Sequence, residues 1–86
     1  MPVISTFYGM LIRMFWNDHA PPHFHVQYGG YKAIIDINTL QLSEGNLPRR
    51  ALNLVIDWAE LHQKELLTDW DLCLQKQMPN KIEPLK

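Results

Sequence analysis

His23-Phe24-His25-Val26-Gln27-Tyr28-Gly29-Gly30-Tyr31-Lys32-Ala33-Ile34-Ile35-Asp36-Ile37 carries the clearest local pattern in the chain. Two glycines stand between runs that alternate in polarity, and glycine accepts the positive φ that a two-residue hairpin turn needs. The register follows from the turn. Tyr28 faces Tyr31, Gln27 faces Lys32, Val26 faces Ala33, His25 faces Ile34, Phe24 faces Ile35 and His23 faces Asp36. Phe24, Val26, Tyr28, Tyr31, Ala33, Ile35 and Ile37 then share an apolar face, and His23, His25, Gln27, Lys32 and Asp36 share the other. A slip of one residue would bury both histidines and Lys32, so the clean split supports this register.

Upstream, Val3 to Trp16 reads as one bent strand or two short ones, interrupted at Gly9. Met10, Ile12, Met14 and Trp16 share one face, and Leu11, Arg13 and Phe15 the other. If this strand pairs with His23–Tyr28, Arg13 joins the histidine face. Asn17 to Pro22 is a connecting loop. Pro21 and Pro22 lack backbone donors and fix φ, so the loop is stiff and presents His19 towards the strand that follows.

Downstream, Asn38-Thr39 is a turn, Leu40–Leu42 a short strand, and Ser43-Glu44-Gly45-Asn46 a second break. Asn46 is an expected N-cap, with Pro48 tolerated in the first helical turn. Leu47, Ala51, Leu54, Val55, Trp58, Leu61 and His62 recur at helical spacing, and the stripe continues through Leu66, Trp70, Cys73 and Leu74. Thr68 followed by Asp71 resembles a capping box. The pattern predicts two helices, about 47–62 and about 68–77, with one bent helix as the rival. Lys81–Leu85 is expected to dock as an extended tail. The fold class is therefore α+β: a small antiparallel meander of about four strands, followed by one or two helices packed on one face, in a single domain over 1–86.

A chain of 86 residues has no room for two cores. Its one core is small, so a partner or a homodimer is a natural further source of stability. Hydrophobic residues make up 47 % of the chain, which argues against disorder. The formal net charge of −1 gives no general attraction to nucleic acid or to an anionic membrane, so such binding needs a local patch. No apolar run approaches the ~18 residues of a membrane span, and the N-terminus does not read as a signal peptide. The lone Cys73 excludes an internal disulfide and a cysteine-based zinc site. A cytoplasmic setting is expected.

Chemistry concentrates in Asp18-His19-Ala20-Pro21-Pro22-His23-Phe24-His25, which holds three of the four histidines. On a strand, His23 and His25 point the same way, roughly 7 Å apart at Cβ. Asp36 stands opposite His23, where a carboxylate would orient an imidazole. Three roles stay open. In the first, His23 and His25 act as acid and base, with Asp36 as orienter and His19, Arg13 and Lys32 beside the reacting group; this chemistry cleaves RNA, whose 2′-OH is its own nucleophile. In the second, Asp18, His19, His23 and His25 hold zinc or a similar divalent ion. In the third, the face is simply solvated. Arg49 and Arg50 form a further candidate anion site, because two cations in the first turn of a helix oppose its dipole. His62, Trp58, Trp70 and Cys73 fall on the core stripe and are left out of the site.

Pro2-Val3-Ile4-Ser5-Thr6-Phe7-Tyr8-Gly9, the Asp18–His25 string, Tyr28-Gly29-Gly30, Gly45-Asn46-Leu47-Pro48, Trp58 and Lys81-Ile82-Glu83-Pro84-Leu85 together resemble the bacterial domain-of-unknown-function family 4160 (DUF4160). The resemblance covers essentially the whole chain. It implies a small bacterial protein encoded beside a second small protein, as in type II toxin–antitoxin modules. From it follows the expectation of a toxin silenced by a small cognate antitoxin-like partner; joined to the acid–base reading of His23 and His25, this gives the expectation of a toxin that acts on RNA without a required metal. The rival expectations are a metal-binding regulatory or scaffold module and a non-catalytic interaction domain.

Overall fold

The structure is a computed structural model and describes residues 2–16 and 18–86. Five strands are followed by two helices: β1 (Val3–Phe7), β2 (Met10–Arg13), β3 (His23–Tyr28), β4 (Tyr31–Asp36), β5 (Leu42–Gly45), α1 (Arg49–Leu61) and α2 (Gln63–Leu74). The strands form one antiparallel sheet in the order β1-β2-β3-β4-β5. This is the expected α+β meander, with one strand more than expected.

The β3–β4 register is the one the turn dictated, from Tyr28↔Tyr31 through His23↔Asp36. Val3 to Trp16 resolves into two short strands that pair with each other through a turn at Tyr8 and Gly9, both at positive φ. Arg13 lies opposite His25, so it does join the histidine face. Asn17, at the head of the expected loop, lies outside the described residues.

Three local expectations are corrected. The fifth strand runs Leu42–Gly45 rather than 40–42: Gly45, at φ +82, pairs with Ala33 and extends the ladder past Glu44, and the register shifts at Ser43. A Cβ on Gly45 would stand 2.1 Å from the Lys32 carbonyl oxygen, so only glycine lets the two backbones approach this closely. Asn46 does not cap α1. Its N–H continues the sheet by donating to the Lys32 carbonyl, and the N-cap position falls to Pro48, with no side-chain bond. The expected second helix starts five residues early, at Gln63, after a break at His62 alone. Thr68 therefore sits mid-helix and bonds back to the Lys64 carbonyl instead of capping.

One face of the sheet and the helix stripe make the core. Ile4, Ile12, Met14, Phe24, Val26, Ile35 and Ile37 meet Val55, Trp58, Leu66 and Trp70, all buried. Trp58 is central: its ring packs on Phe7 and Phe24, and its Nε1–H donates to the Glu83 carbonyl. That bond fastens the tail, as do the Ile82 N–H to the Ile4 carbonyl and the buried Ile82 side chain. Burial of apolar surface drives this layer, and the polar parity of β3 and β4 leaves the histidines on the opposite face.

Candidate functional site

Asp18 is the hub of the histidine face. Its Oδ2 lies 2.9 Å from His23 Nε2 and 3.3 Å from His25 Nε2. These three atoms lie within 4.8 Å of one another. The strand supplies the two imidazoles at i and i+2, and the proline loop turns back to bring Asp18 over them. The Pro21 carbonyl accepts a hydrogen bond from His23 Nδ1–H at 2.7 Å. A carbonyl can only accept, so the proton is assigned to Nδ1 and the other ring nitrogen faces Asp18.

Two acceptors thus flank one ring, while a neutral imidazole has one N–H. With the proton on Nδ1, Nε2 and Oδ2 turn lone pairs towards one another, an arrangement that a bound cation would stabilise. A backbone carbonyl that accepts the Nδ1 proton and leaves Nε2 free is also how metal-binding imidazoles are oriented.

The site is partly sheltered: the His23, Asp18 and His25 side chains are 11 %, 17 % and 25 % exposed. Trp70 of α2 lies against His23, with ring centroids 5.0 Å apart. The histidine face is therefore not open along its whole length, because His23 begins β3 at the end of the sheet where Trp70 of α2 lies against it. Phe15 meets the His25 ring edge-on at 4.1 Å. Burial would raise the Asp18 carboxyl, but the hydrogen bonds from His25 and the His19 N–H, together with the adjacent His23 ring, outweigh it and hold it below the usual carboxylate value. Burial lowers His25, against the opposing effect of Asp18, so its neutral, ligand-competent form is favoured.

The other expected residues divide. Asp36 is across from His23 and borders the same cavity of ≈ 330 Å³. Its role as orienter is corrected: Asp36 Oδ1 accepts the backbone N–H groups of Asn38 and Thr39 and closes the turn after β4. The reason is local, since an Asp two residues ahead of a turn bonds its own backbone. His19 also borders the cavity, but its side chain is 95 % exposed, 3.5 Å from the Asp18 carboxylate and with its ring 6.5 Å from that of His23. The loop holds Asp18 in the centre rather than His19. Arg13 and Lys32 border an adjoining cavity. Arg49 and Arg50 are exposed at the start of α1 and border neither cavity. His62 is packed on Trp58 and bonded to Glu65, away from the site.

Sequence reading missed three contributors. Glu44 of β5 borders the site and its charge acts on His25. It was hidden by the expectation of a break at 43–46. Trp70 was assigned to the core, which is right, but its second role against His23 needed the tertiary packing. Phe15 shared a strand face with Arg13, and that pattern was the available signal.

The family model described as Domain of unknown function (DUF4160) matches residues 9–71. That span contains the proline loop, β2 to β5, α1 and Trp70. No curated protein and no solved structure matches the chain.

Proposed function

The chain belongs to the DUF4160 family, and within it we propose that Asp18, His23 and His25 form a centre for one divalent transition-metal ion. The observation that supports this reading is the convergence of Asp18 Oδ2, His23 Nε2 and His25 Nε2, with His23 fixed from behind by the Pro21 carbonyl. Two imidazoles and one carboxylate suit zinc and its neighbours. Three protein ligands leave coordination positions for water and a substrate, and a bound ion there would supply an acidic water or polarise an oxygen. Protein purified without a histidine tag should carry, or take up from added zinc, about one ion per chain, and Asp18→Asn or His25→Ala should lose it. Wild-type protein that takes up no ion, or variants that bind it equally, would overturn the proposal.

A second reading places the protein as a cytoplasmic toxin that cleaves RNA with a small cognate protein as its antidote. What supports it is the resemblance carried by the Asp18–His25 string, and the one carboxylate shared by two imidazoles, which suits acid–base exchange between them. Expression alone should arrest growth and co-expression with the neighbouring small protein should restore it. His23→Ala or His25→Ala should relieve the arrest while the protein stays folded. A folded double variant that still arrests growth would remove the histidines from the toxic mechanism.

A further inference from the structure

A second cavity, of ≈ 360 Å³, adjoins the proposed centre. His25, Ile34 and Glu44 border both, so the two share a wall. The new cavity is framed by Arg13 from β2, Gln27 from β3, Lys32 from β4 and the Phe15 ring.

Arg13 carries the argument. It faces His25 across the β2–β3 ladder, and its Nε is buried with no hydrogen-bond partner among the described residues. A buried donor left unmet is costly, and a guanidinium can only donate. Among the described residues, neither Arg13 nor Lys32 is in an ion pair. Among the described residues, the single carboxylate bordering this cavity is Glu44, which stands on the wall shared with the proposed centre, where its charge acts on His25. Phe15 and Ile34, both half-buried, add apolar wall.

An occupant must therefore offer an acceptor to Arg13, negative charge to two cations and an apolar surface to Phe15. Phosphate meets the first two needs, since guanidinium is a planar fork matched to its oxygens. An aromatic base meets the third, because every base has a face that stacks on an aromatic ring. We infer that this cavity binds one nucleotide unit, with its phosphate on Arg13 and Lys32 and its base against Phe15. Its placement beside a reactive ion rests on the metal-centre reading; the binding itself does not.

Calorimetric titration of the full chain tests this with three probes: inorganic phosphate, adenosine 5′-monophosphate and a short single-stranded RNA. Adenosine monophosphate should bind, and Arg13→Gln or Lys32→Gln should weaken it at least about tenfold. Phe15→Leu should weaken the mononucleotide roughly fivefold or more while leaving inorganic phosphate unchanged. Tighter binding of the RNA assigns the unit to a strand, and equal binding assigns it to a free nucleotide; both support the site. Arg13→Lys, which keeps the charge but lacks the fork, should fold and still bind less well. Zinc titration of the Arg13 and Lys32 variants should match wild type. The inference is overturned if wild type binds none of the probes at millimolar concentration, or if Arg13→Gln binds them as wild type does. Nucleotide binding without zinc binding would leave this site standing and remove the metal centre.

Discussion

Asp18 Oδ2 lies 2.9 Å from His23 Nε2, although Asp18 belongs to a loop and His23 to a strand five residues later. The carboxylate directly across the ladder from His23 is that of Asp36, yet it bonds the turn at Asn38 and Thr39. The two aspartates thus have separable roles, one in the site and one in the fold.

That separation is measurable. Asp18→Asn should weaken zinc binding by well over the roughly 10–100-fold seen for outer-shell changes, because a ligand charge is removed. Asp36→Asn should leave zinc binding within a few-fold of wild type. Its cost should appear in stability instead, at about 1 kcal/mol for weakened bonds to two N–H groups, or roughly 4–8 °C in Tm. Zinc titration and thermal denaturation of both variants make the comparison. Equal loss of affinity in the two would contradict the assigned roles.

Metal should stabilise the fold. An ion that binds the folded chain at a hundred times its Kd adds about 2.7 kcal/mol. Zinc should raise Tm in wild type, a chelator should reverse the rise, and His25→Ala should show neither effect. Imidazoles ligate only when deprotonated, so the zinc-dependent rise should disappear as the pH is lowered well below neutrality. A rise that persists in acid would point to binding elsewhere.

Gly45→Ala tests the close backbone approach that holds β5, and with it Glu44, beside the site. The new Cβ would stand 2.1 Å from the Lys32 carbonyl oxygen at φ +82. The backbone conformation alone costs about 1–3 kcal/mol in a non-glycine residue, and the clash adds to it. Tm should fall by roughly 10 °C or more. Hydrogen exchange should localise the loosening to β5 and its partner β4. An unchanged Tm would mean that the edge strand re-pairs freely.

Asp69 links pH to the tail. It is buried, its Oδ1 accepts the Asn80 N–H, and its Oδ2 has no partner among the described residues. Burial pushes its carboxyl from 3.8 up to about 6. The folded chain therefore holds this proton more tightly than the unfolded chain does. The stabilising contribution is complete below about pH 4 and is lost as pH rises through about 6. Asp69→Asn keeps the acceptor for Asn80 and removes the charge. Above pH 6 it should be more stable than wild type by about 1–2 kcal/mol after allowance for solvent screening, with the difference vanishing near pH 4. Denaturant unfolding at several pH values reads this difference. A constant difference across the range would rule out Asp69 as its source.

The sheet was legible because its signals are local. Gly29-Gly30 sets the turn, and the period-two alternation on either side fixes which residues face the core, so His25 lands opposite Ile34 without any tertiary information, whereas its place beside Arg13 required the pairing of β2 with β3. The helix stripe from Ala51 to Cys73 was equally plain. Its boundaries were not, since Asn46 and Thr68 carry capping signatures that the fold puts to other uses. Tertiary pairing of Asn46 with Lys32 outweighs a local cap.

The sequence by itself determined the meander, the core face and the presence of two imidazoles on the far face, because strand parity leaves them no other side. Only the tertiary structure decided which carboxylate serves them. A loop side chain has no parity, so the return of Asp18 over His23 and His25, and the closure of the site by Trp70 and Glu44, depend on how the loop, α2 and β5 pack together in space.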